Sequence, residues 1–494
     1  MLLLGIDLGS SSVKASVIDG ETGSCLASAF YPKEEMKIIA GKPGWAEQEP
    51  ATWWENLKAS VADCNRQIGK KSGDIGAIGI SYQMHGLVVV DKDKKVLRPS
   101  IIWCDGRAVP YGARALKGLG EEFCLSHLLN SPGNFTATKL AWVKENEPET
   151  FSKIYKIMLP GDYFAMRMTG EIVTTFSGLS EGIFWDFKKE EASAELMKFL
   201  GFDMSLLPKA VPSFSVQGKL MKNVAEELGL PSGIPVSYRA GDQPNNALSL
   251  NVLEPGEVAA TAGTSGVIYG VTDRKQYDPG SRVNTFLHVN HAPANPRAGV
   301  LLCINGTGIL NSWLRKNTAS SFSYDEMNAK AALSPAGAEG LSILPFGNGA
   351  ERMLGNRDTG ARIMGLNFNI HNTGHLLRAA QEGIVFSFRY GLDIMKETGI
   401  VPSVLRAGAA NMFLSPLFRE ALSCIINTEI HLYNTDGSIG AARGAGIGCG
   451  YYSSAGEAFA GLKSVGITVP DKSKTAAYAE AYERWKNYLK SIEI

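Results

Sequence analysis

Leu4-Gly5-Ile6-Asp7-Leu8-Gly9-Ser10-Ser11-Ser12 is the stretch on which the reading of the fold turns. Leu2, Leu3, Leu4, Ile6 and Leu8 form a short apolar run, Gly9 and three serines break it, and Val13 to Ile18 supplies a second run. Met1 to Gly20 therefore reads as a β-hairpin. A turn of such small residues exposes backbone N–H groups and hydroxyls, and a concave array of these donors binds phosphate oxygens. Asp7 stands at its mouth. A carboxylate beside a phosphate cradle is unfavourable unless a cation lies between them, which makes Asp7 a Mg²⁺-side candidate, directly or through water. A Gly/Ser-rich hairpin with an ordinary surface aspartate fits the same letters.

The second half of the chain repeats the device. Glu257 to Val271 reads E-V-A-A-T-A-G-T-S-G-V-I-Y-G-V, an apolar segment, then Gly263, Thr264, Ser265 and Gly266, then a further strand from Val267. Two such hairpins suggest two related lobes facing one phosphate chain. The pair resembles the superfamily of actin, the heat-shock 70 chaperones and the sugar kinases, and within it the chain resembles the FGGY carbohydrate kinases. That resemblance implies an α/β, two-lobed actin-like ATPase (ribonuclease H-like) fold with the active site in the interdomain cleft. It also implies ATP and Mg²⁺ as cofactors.

Size agrees with two lobes. At 494 residues the chain is too long for one core, and the expected division is 1–243 for an N-terminal, sugar-binding lobe and 244–494 for a nucleotide-binding lobe. Lys plus Arg equals Asp plus Glu at 49 each, so no charged face for nucleic acid or membrane is indicated. Partners are expected to be small molecules, and a homodimer is compatible with this surface. Seven scattered cysteines without a C-x-x-C pair fit reduced thiols and a cytoplasmic protein. Met1-Leu2-Leu3-Leu4 has no basic start and meets Asp7 at once, unlike a signal peptide. Ala298 to Leu314, the longest uncharged run, is broken by Asn, Gly, Thr and Ser and does not read as a membrane span.

Beyond the first hairpin, Pro50 opens a helix in which Trp54, Leu57, Val61, Cys64 and Ile68 recur at three- and four-residue steps up to Gly69. Trp53 and Trp54 read as core. Ile75 to Ser81 is a strand leading into Tyr82-Gln83-Met84-His85-Gly86, and a strand from Ser100 to Trp103 delivers Cys104-Asp105-Gly106-Arg107. Polar groups at the ends of buried strands are well placed to bind a polyol. His85 reads equally as a satisfied loop histidine, and Arg107 as half of an ion pair.

Here the resemblance narrows to the xylulokinase branch of the FGGY kinases. It is carried by Gln83-Met84-His85-Gly86, by Trp45-Ala46-Glu47-Gln48-Glu49-Pro50 and by Ile102-Trp103-Cys104-Asp105-Gly106-Arg107. Phe135-Thr136-Ala137 with Lys139-Leu140, and Leu159-Pro160 with Asp162-Tyr163, belong to the same set. It implies that Gln83, Met84, His85, Asp105 and Arg107 face the sugar, and that the terminal hydroxyl of a ketose, D-xylulose first among them, is phosphorylated.

Val236 to Ala240 is a strand ending in Gly241-Asp242-Gln243-Pro244, with the helix-friendly Ala247-Leu248-Ser249-Leu250 behind it. Asp242 at that corner reads from its letters as a helix cap. The resemblance makes it the catalytic base, with sugar contact. Gln243 stands where xylulokinases commonly carry Asn, as in glycerol kinases, so other ketoses, aldonates and polyols stay open.

Lys188 to Lys209 reads as helical and charged. A long helix from about Asn372 carries the stripe Leu377, Ala380, Ile384, Phe388, Leu392 and Met395 and ends at Gly399. Leu344-Pro345-Phe346-Gly347 with Glu351-Arg352 resembles the family's L-P-Y-x-x-G-E-R loop with one residue inserted. Ala407-Gly408-Ala409 through Asn411 resembles the adenosine-side motif, A-G-A standing for the usual G-G-G. ATP contacts are thus expected from Ser10, Ser11, Ser12, Gly263, Thr264, Ser265, Gly408, Ala409 and Asn411. Asp436 to Gly440 opens a helix rich in small residues, Ala441 to Gly450, which permits close backbone approach. Residues 476–489 form an amphipathic tail helix with Tyr478, Tyr482, Trp485 and Leu489 on one face.

There is no G-x-x-x-x-G-K-[ST] loop and no G-x-G-x-x-G after an opening strand, so neither a P-loop nor a dinucleotide site is read. The competing class is a sugar- or nucleotide-sensing protein of the same fold that binds without phosphorylating. Asp7 and Asp242 favour the kinase.

Overall fold

The opening apolar run is strand β1 (Leu2–Leu8), paired antiparallel with β2 (Val13–Asp19) so that Leu8 faces Val13 across the Gly9–Ser12 turn. The structure, a computed structural model, describes residues 1–492. β3 (Cys25–Tyr31) follows antiparallel on β2, and β4 (Ile75–Tyr82) runs parallel on the other side of β1. β5 (Phe214–Lys219) and β6 (Pro235–Gly241) complete the sheet in the order β3-β2-β1-β4-β6-β5. β6 is parallel to β4 and antiparallel to β5.

Both faces of this sheet are covered, which is why β1 reads as a largely apolar run up to Asp7. Leu2, Leu4, Ile6 and Leu8 point to one side, against Trp53, Trp54, Leu57, Val61 and Cys64 of the Pro50–Ile68 helix. Leu3, Ile18, Ala77 and Tyr238 point to the other, against Ala441, Ala442 and Ala445 of the Gly437–Gly448 helix. The small residues of that helix let it lie directly on the strands. A Cβ on Gly5 would fall 1.8 Å from the Ser438 carbonyl oxygen, and one on Gly79 would fall 1.9 Å from that of Ala441.

The second sheet repeats the first. β7 (Glu257–Ala262) and β8 (Gly266–Thr272) form the second hairpin, antiparallel, with Ala262 opposite Gly266. β9 (Ala298–Ile304) lies beside β8, and β10 (Val404–Gly408) is parallel to β7. β11 (Ile430–Tyr433) is parallel to β10 and β12 (Ser464–Thr468) antiparallel to β11. Six of the seven strands of this sheet, in the order β9-β8-β7-β10-β11-β12, therefore match β3-β2-β1-β4-β6-β5. The 25-residue helix Thr373–Glu397 buries its expected stripe in this core. The tail helix Thr475–Ile492 packs there as well, its Trp485 Nε1 donating to the Ile343 carbonyl at 2.9 Å.

Three expectations change. The chain divides into one compact unit of residues 1–253, 285–299 and 435–462 and a second of residues 254–284, 300–434 and 463–494, not at 243/244. The cause is packing: Asp242–Ser249 and Gly437–Gly448 are helices of the first sheet's small-residue face. Lys188 to Lys209 holds only about two turns of α-helix, Ala194–Leu200, and a 3-10 turn, Met204–Leu206, because Glu191–Ala192 pairs as a short strand with Trp185–Asp186 and Lys209–Val211 with Val173–Thr175. The strand expected up to Trp103 stops at Ile101, and Trp103 is exposed. Among the described residues no helix is long and apolar enough to cross a membrane.

Candidate active site

In the first unit the Gly9–Ser12 turn spends its carbonyls on the protein. Gln48 Nε2 donates to the Ser10 oxygen at 2.7 Å, the Met36 amide to that of Ser11 at 2.8 Å, and the Gly9 amide to that of Ser12 at 3.0 Å. A trans peptide sets each C=O opposite the next N–H, so carbonyls held inward turn the Ser11 and Ser12 amides outward. This is the donor array the sequence suggests, now with the groups that fix it.

Asp7 lies at the end of β1, opposite Ser81 of β4. A Cβ on Gly437 would meet its carboxylate at 2.5 Å, so the start of the Gly437–Gly448 helix sits directly on Asp7. Burial, reinforced by the nearby Asp436 charge, raises the Asp7 pKa, with Ser81 and Lys14 opposing. Asp242 follows β6 as the first residue of the Asp242–Ser249 helix. The N-cap is Gly241, so Asp242 is not the simple cap its letters allow. Its pKa is pushed up to about 7, first by burial and then by repulsion from Asp7, while hydrogen bonds from Gln243 oppose the rise. Both residues are only partly exposed. A carboxylate whose charge raises the proton affinity of its neighbour marks a place where a divalent cation relieves repulsion. Among the described residues no cluster of three or more His, Cys, Asp or Glu stands ready to hold a metal on protein ligands alone. Asp7 with solvent and phosphate oxygens fits the way Mg²⁺ is usually carried.

Met84 and His85 lie on the loop after β4. His85 adopts φ +61°, and its Nδ1 donates to the Glu181 carbonyl oxygen at 2.8 Å. Because a carbonyl only accepts, that bond fixes which ring nitrogen carries the proton. Phe135 stands edge-on to the His85 ring at 4.9 Å. The buried Lys139 ammonium donates to the His85 carbonyl at 2.7 Å, and burial lowers its pKa to about 7.

The other expected sugar residues are turned inward. Gln83 Nε2 donates to Gln48 Oε1 at 3.2 Å. Asp105 is fully buried and pairs with Arg107 at 2.7 Å, while Arg107 also reaches Glu47 at 2.6 Å and lies 3.8 Å above the Trp45 ring. The ion-pair reading of Arg107 is thus the one realised, and Asp105 and Arg107 brace the wall, whereas Gln83 Oε1 has no hydrogen-bond partner among the described residues. Sequence reasoning missed Glu181. It is 1 % exposed and its carboxyl sits over Gly241, where a Cβ would meet Oε2 at 2.2 Å and Met84 Cγ at 2.5 Å. Burial, then the charges of Asp242 and Asp162, hold its pKa well above the carboxylate range. In the letters Ser180-Glu181-Gly182 nothing distinguishes it from a turn.

In the second unit the Gly263 loop is built alike. The Gly308 and Ile309 amides, at the start of the Gly308–Thr318 helix, donate to the carbonyls of Gly263 and Thr264 at 2.8 and 3.1 Å. The amides of Thr264 and Ser265 are thereby turned away. Beside this loop opens a cavity of about 600 Å³, lined among others by Gly263, Thr264, Asn311, Asn328, Asn411 and Ser415. Its size is that of a site for a drug-sized or cofactor-sized molecule. Asn411, at φ +54°, enters the lining; Gly408 ends the adjacent strand and Ala409 follows it, its amide donating to the Tyr433 carbonyl at 2.9 Å.

Comparison with known proteins agrees with this geometry. The FGGY family of carbohydrate kinases matches residues 2–249 with its N-terminal domain and residues 258–449 with its C-terminal domain. The chain is 30% identical to the xylulose kinase of Bacillus subtilis (strain 168), over 98% of this chain and 96% of that protein. It is 28% identical to the xylulose kinase of Escherichia coli (strain K12), over 99% of each. Among solved structures, the xylulose kinase from Rhodospirillum rubrum superposes with a TM-score of 0.90 at 27% identity, covering 100% of this chain and 99% of that one.

Proposed function

The chain belongs to the FGGY family of carbohydrate kinases, with the two-lobed actin-like ATPase fold of its relatives, and we propose that its acceptor is a ketose, D-xylulose in the first place. The observation that carries the reading is Asp242, a carboxyl with pKa about 7 at a strand-to-helix corner beside Asp7. A group with that affinity accepts a proton from a hydroxyl as the new P–O bond forms and releases it near neutral pH. Positioning and charge neutralisation supply the rest of phosphoryl transfer.

Each part then has a residue. The Asp242 carboxylate orients the terminal hydroxyl and takes its proton. Met84 and His85 hold the carbon chain, the His85 tautomer being set by the Glu181 carbonyl. The outward amides of Ser11, Ser12, Thr264 and Ser265 hold phosphate oxygens, and the cavity around Asn411 takes the nucleoside of ATP. Asp7 would hold Mg²⁺, which supplies neutralisation of charge on the phosphates when bound. Xylulose kinases are prominent among the relatives, and this supports the choice of sugar. A second reading, an aldonate or polyol acceptor, is favoured by Gln243, which hydrogen-bonds Asp242 from the position next to it.

The test is coupled ADP release from ATP and Mg²⁺ with D-xylulose, D-ribulose, L-xylulose, L-ribulose, D-fructose, gluconate and glycerol. Turnover confined to D-xylulose is expected. Turnover confined to gluconate or glycerol would replace the ketose by the second reading, and no turnover with any acceptor would sink both.

A further inference from the structure

The cavity beside the Gly263 loop carries a polar side chain whose direction is settled from behind the wall. Asn328, on the Tyr324–Ala332 helix, is half-buried and lines the cavity. Its Oδ1 accepts from Gln381 Nε2 at 2.9 Å. Gln381, on the Thr373–Glu397 helix, is 1 % exposed and stands behind the lining residues. Its Oε1 accepts in turn from the Ser415 hydroxyl at 2.7 Å. That hydroxyl oxygen accepts from the Phe418 amide at 3.3 Å, where Ser415 caps the Pro416–Ile426 helix. A backbone N–H donates and cannot accept, so the relay that starts from it runs in one sense, with the hydroxyl proton passed onward to Gln381. Phe418 gives to Ser415, Ser415 to Gln381, and Gln381 to Asn328. With the Asn328 oxygen committed to Gln381, Nδ2 is what its amide has left for the cavity, and among the described residues nothing accepts from it.

We propose that Asn328 selects the nucleotide by its base, its Nδ2 donating to a ring nitrogen of adenine. This rests on the reading of the same cavity as the nucleoside site of ATP. An amide without such a relay turns to offer either its NH₂ or its oxygen, as the ligand requires; the Asn328 amide offers only NH₂. Adenine answers it with acceptors at N1, N3 and N7. An analogue with C–H at the position addressed leaves the donor unpaired, and a site built around a hydrogen bond rejects such a ligand strongly. Tyr324, four residues before Asn328, lies on the same side of the helix and also lines the cavity, so ring and amide open on one space.

Isothermal titration tests this without requiring any sugar to be turned over. The wild type is titrated, with Mg²⁺ present, with ATP and with its 1-deaza, 3-deaza and 7-deaza analogues. At least one analogue is expected to bind about ten- to a hundred-fold more weakly than ATP. Asn328→Asp keeps the size of the side chain and an oxygen for Gln381, so a merely structural residue would tolerate it, but it exchanges the donor for an acceptor. It should weaken ATP by a similar factor and abolish or invert the preference for ATP over the sensitive analogue. Equal binding of all the nucleotides by the wild type overturns the assignment, whatever the variant does. An unchanged affinity for ATP in Asn328→Asp, or an unchanged preference over the analogue, overturns it too. Ser312→Trp, which fills the cavity from the Gly308–Thr318 helix, tells the two readings apart. If it weakens every nucleotide while Asn328→Asp weakens none, only the Asn328 assignment falls. If it weakens none, the cavity is not the nucleoside site, and both fall together.

Discussion

The Lys14 ammonium lies 2.6 Å from an Asp436 carboxylate oxygen, across 422 positions of sequence. Lys14 is the cross-strand partner of Asp7 in the first hairpin, and Asp436 caps the Gly437–Gly448 helix by accepting from the Ser438 and Ile439 amides. Burial alone would raise the Asp436 pKa; Lys14 and Ser438 more than offset it, so the cap stays charged. That fixed negative charge helps to raise Asp7, and Asp7 in turn raises Asp242. The proton affinity of the proposed base is thus set partly from a residue near the far end of the chain.

Asp242→Asn removes the base without changing its size. Turnover should fall about 10²- to 10⁴-fold, with ATP binding retained, as isothermal titration with ATP would show. In the wild type, kcat/KM should fall with decreasing pH below about 7, one decade per unit, because the base must be ionised. A flat profile from pH 5 to 8 would remove Asp242 from the role.

The same substitution should make the protein more stable. The folded-state pKa of Asp242, about 7, lies above the ordinary value of about 4. Between those values the folded state binds more protons than the unfolded one, so stability falls as pH rises through the window. The penalty is complete above about pH 7 and absent below about 4. At about 1.4 kcal/mol per unit, relief by Asn amounts to a few kcal/mol at pH 8 without metal, shrinking toward zero near pH 4. Denaturant melts at pH 8 and pH 5 check this. Added Mg²⁺ should narrow the gap by stabilising the wild type more than the variant.

Gly437→Ala places a methyl 2.5 Å from Asp7 Oδ2. Asp7 must move, and a displacement of about 1 Å in catalytic geometry costs up to about 100-fold. We expect kcat to drop and the half-saturating Mg²⁺ concentration to rise, with little change in sugar KM, in a magnesium titration of initial rates. An unchanged magnesium requirement would separate Asp7 from the metal.

Lys139→Met leaves the His85 carbonyl without its ammonium donor. An unpaired buried carbonyl costs about 1–3 kcal/mol, most simply relieved by letting the His85 loop leave its left-handed conformation. Sugar KM should rise about ten-fold, while KM for ATP stays where it is. Equal change in both constants would mark a general loss of structure instead.

Much of this was legible in the letters. Each hairpin is two apolar runs around glycine and hydroxyl residues, and both runs are strands with the expected turns between them. The helix at Pro50–Ile68 follows its periodic stripe because a single face of it is buried, and the stripe of Thr373–Glu397 is buried too, within a helix enclosed on all sides from Leu377 to Phe388. What stayed hidden is what sequence distance conceals. Ala441, Ala442 and Ala445 show that something approaches closely, but not that it is Leu3 and Ala77 of the first sheet. Glu181 is one acidic letter among turn residues, and only tertiary burial makes it unusual. Asp105 and Arg107 look like ligands because they end a strand, until Glu47 and Trp45 are seen to occupy them.

The discontinuous first unit also bears on how the protein is made. Residues 1–253 leave the ribosome with β1, β4 and β6 in hand, while the Gly437–Gly448 helix that covers one face of that sheet is still about 200 codons from synthesis. Domains ordinarily fold in turn as they emerge. Here the first must wait uncovered, its Leu3, Ala77 and Tyr238 face open to wrong partners, until most of the second has appeared. Nascent chains stalled short of residue 435 should therefore lean on chaperones, and a premature stop near the end of the gene is a lesion of its beginning.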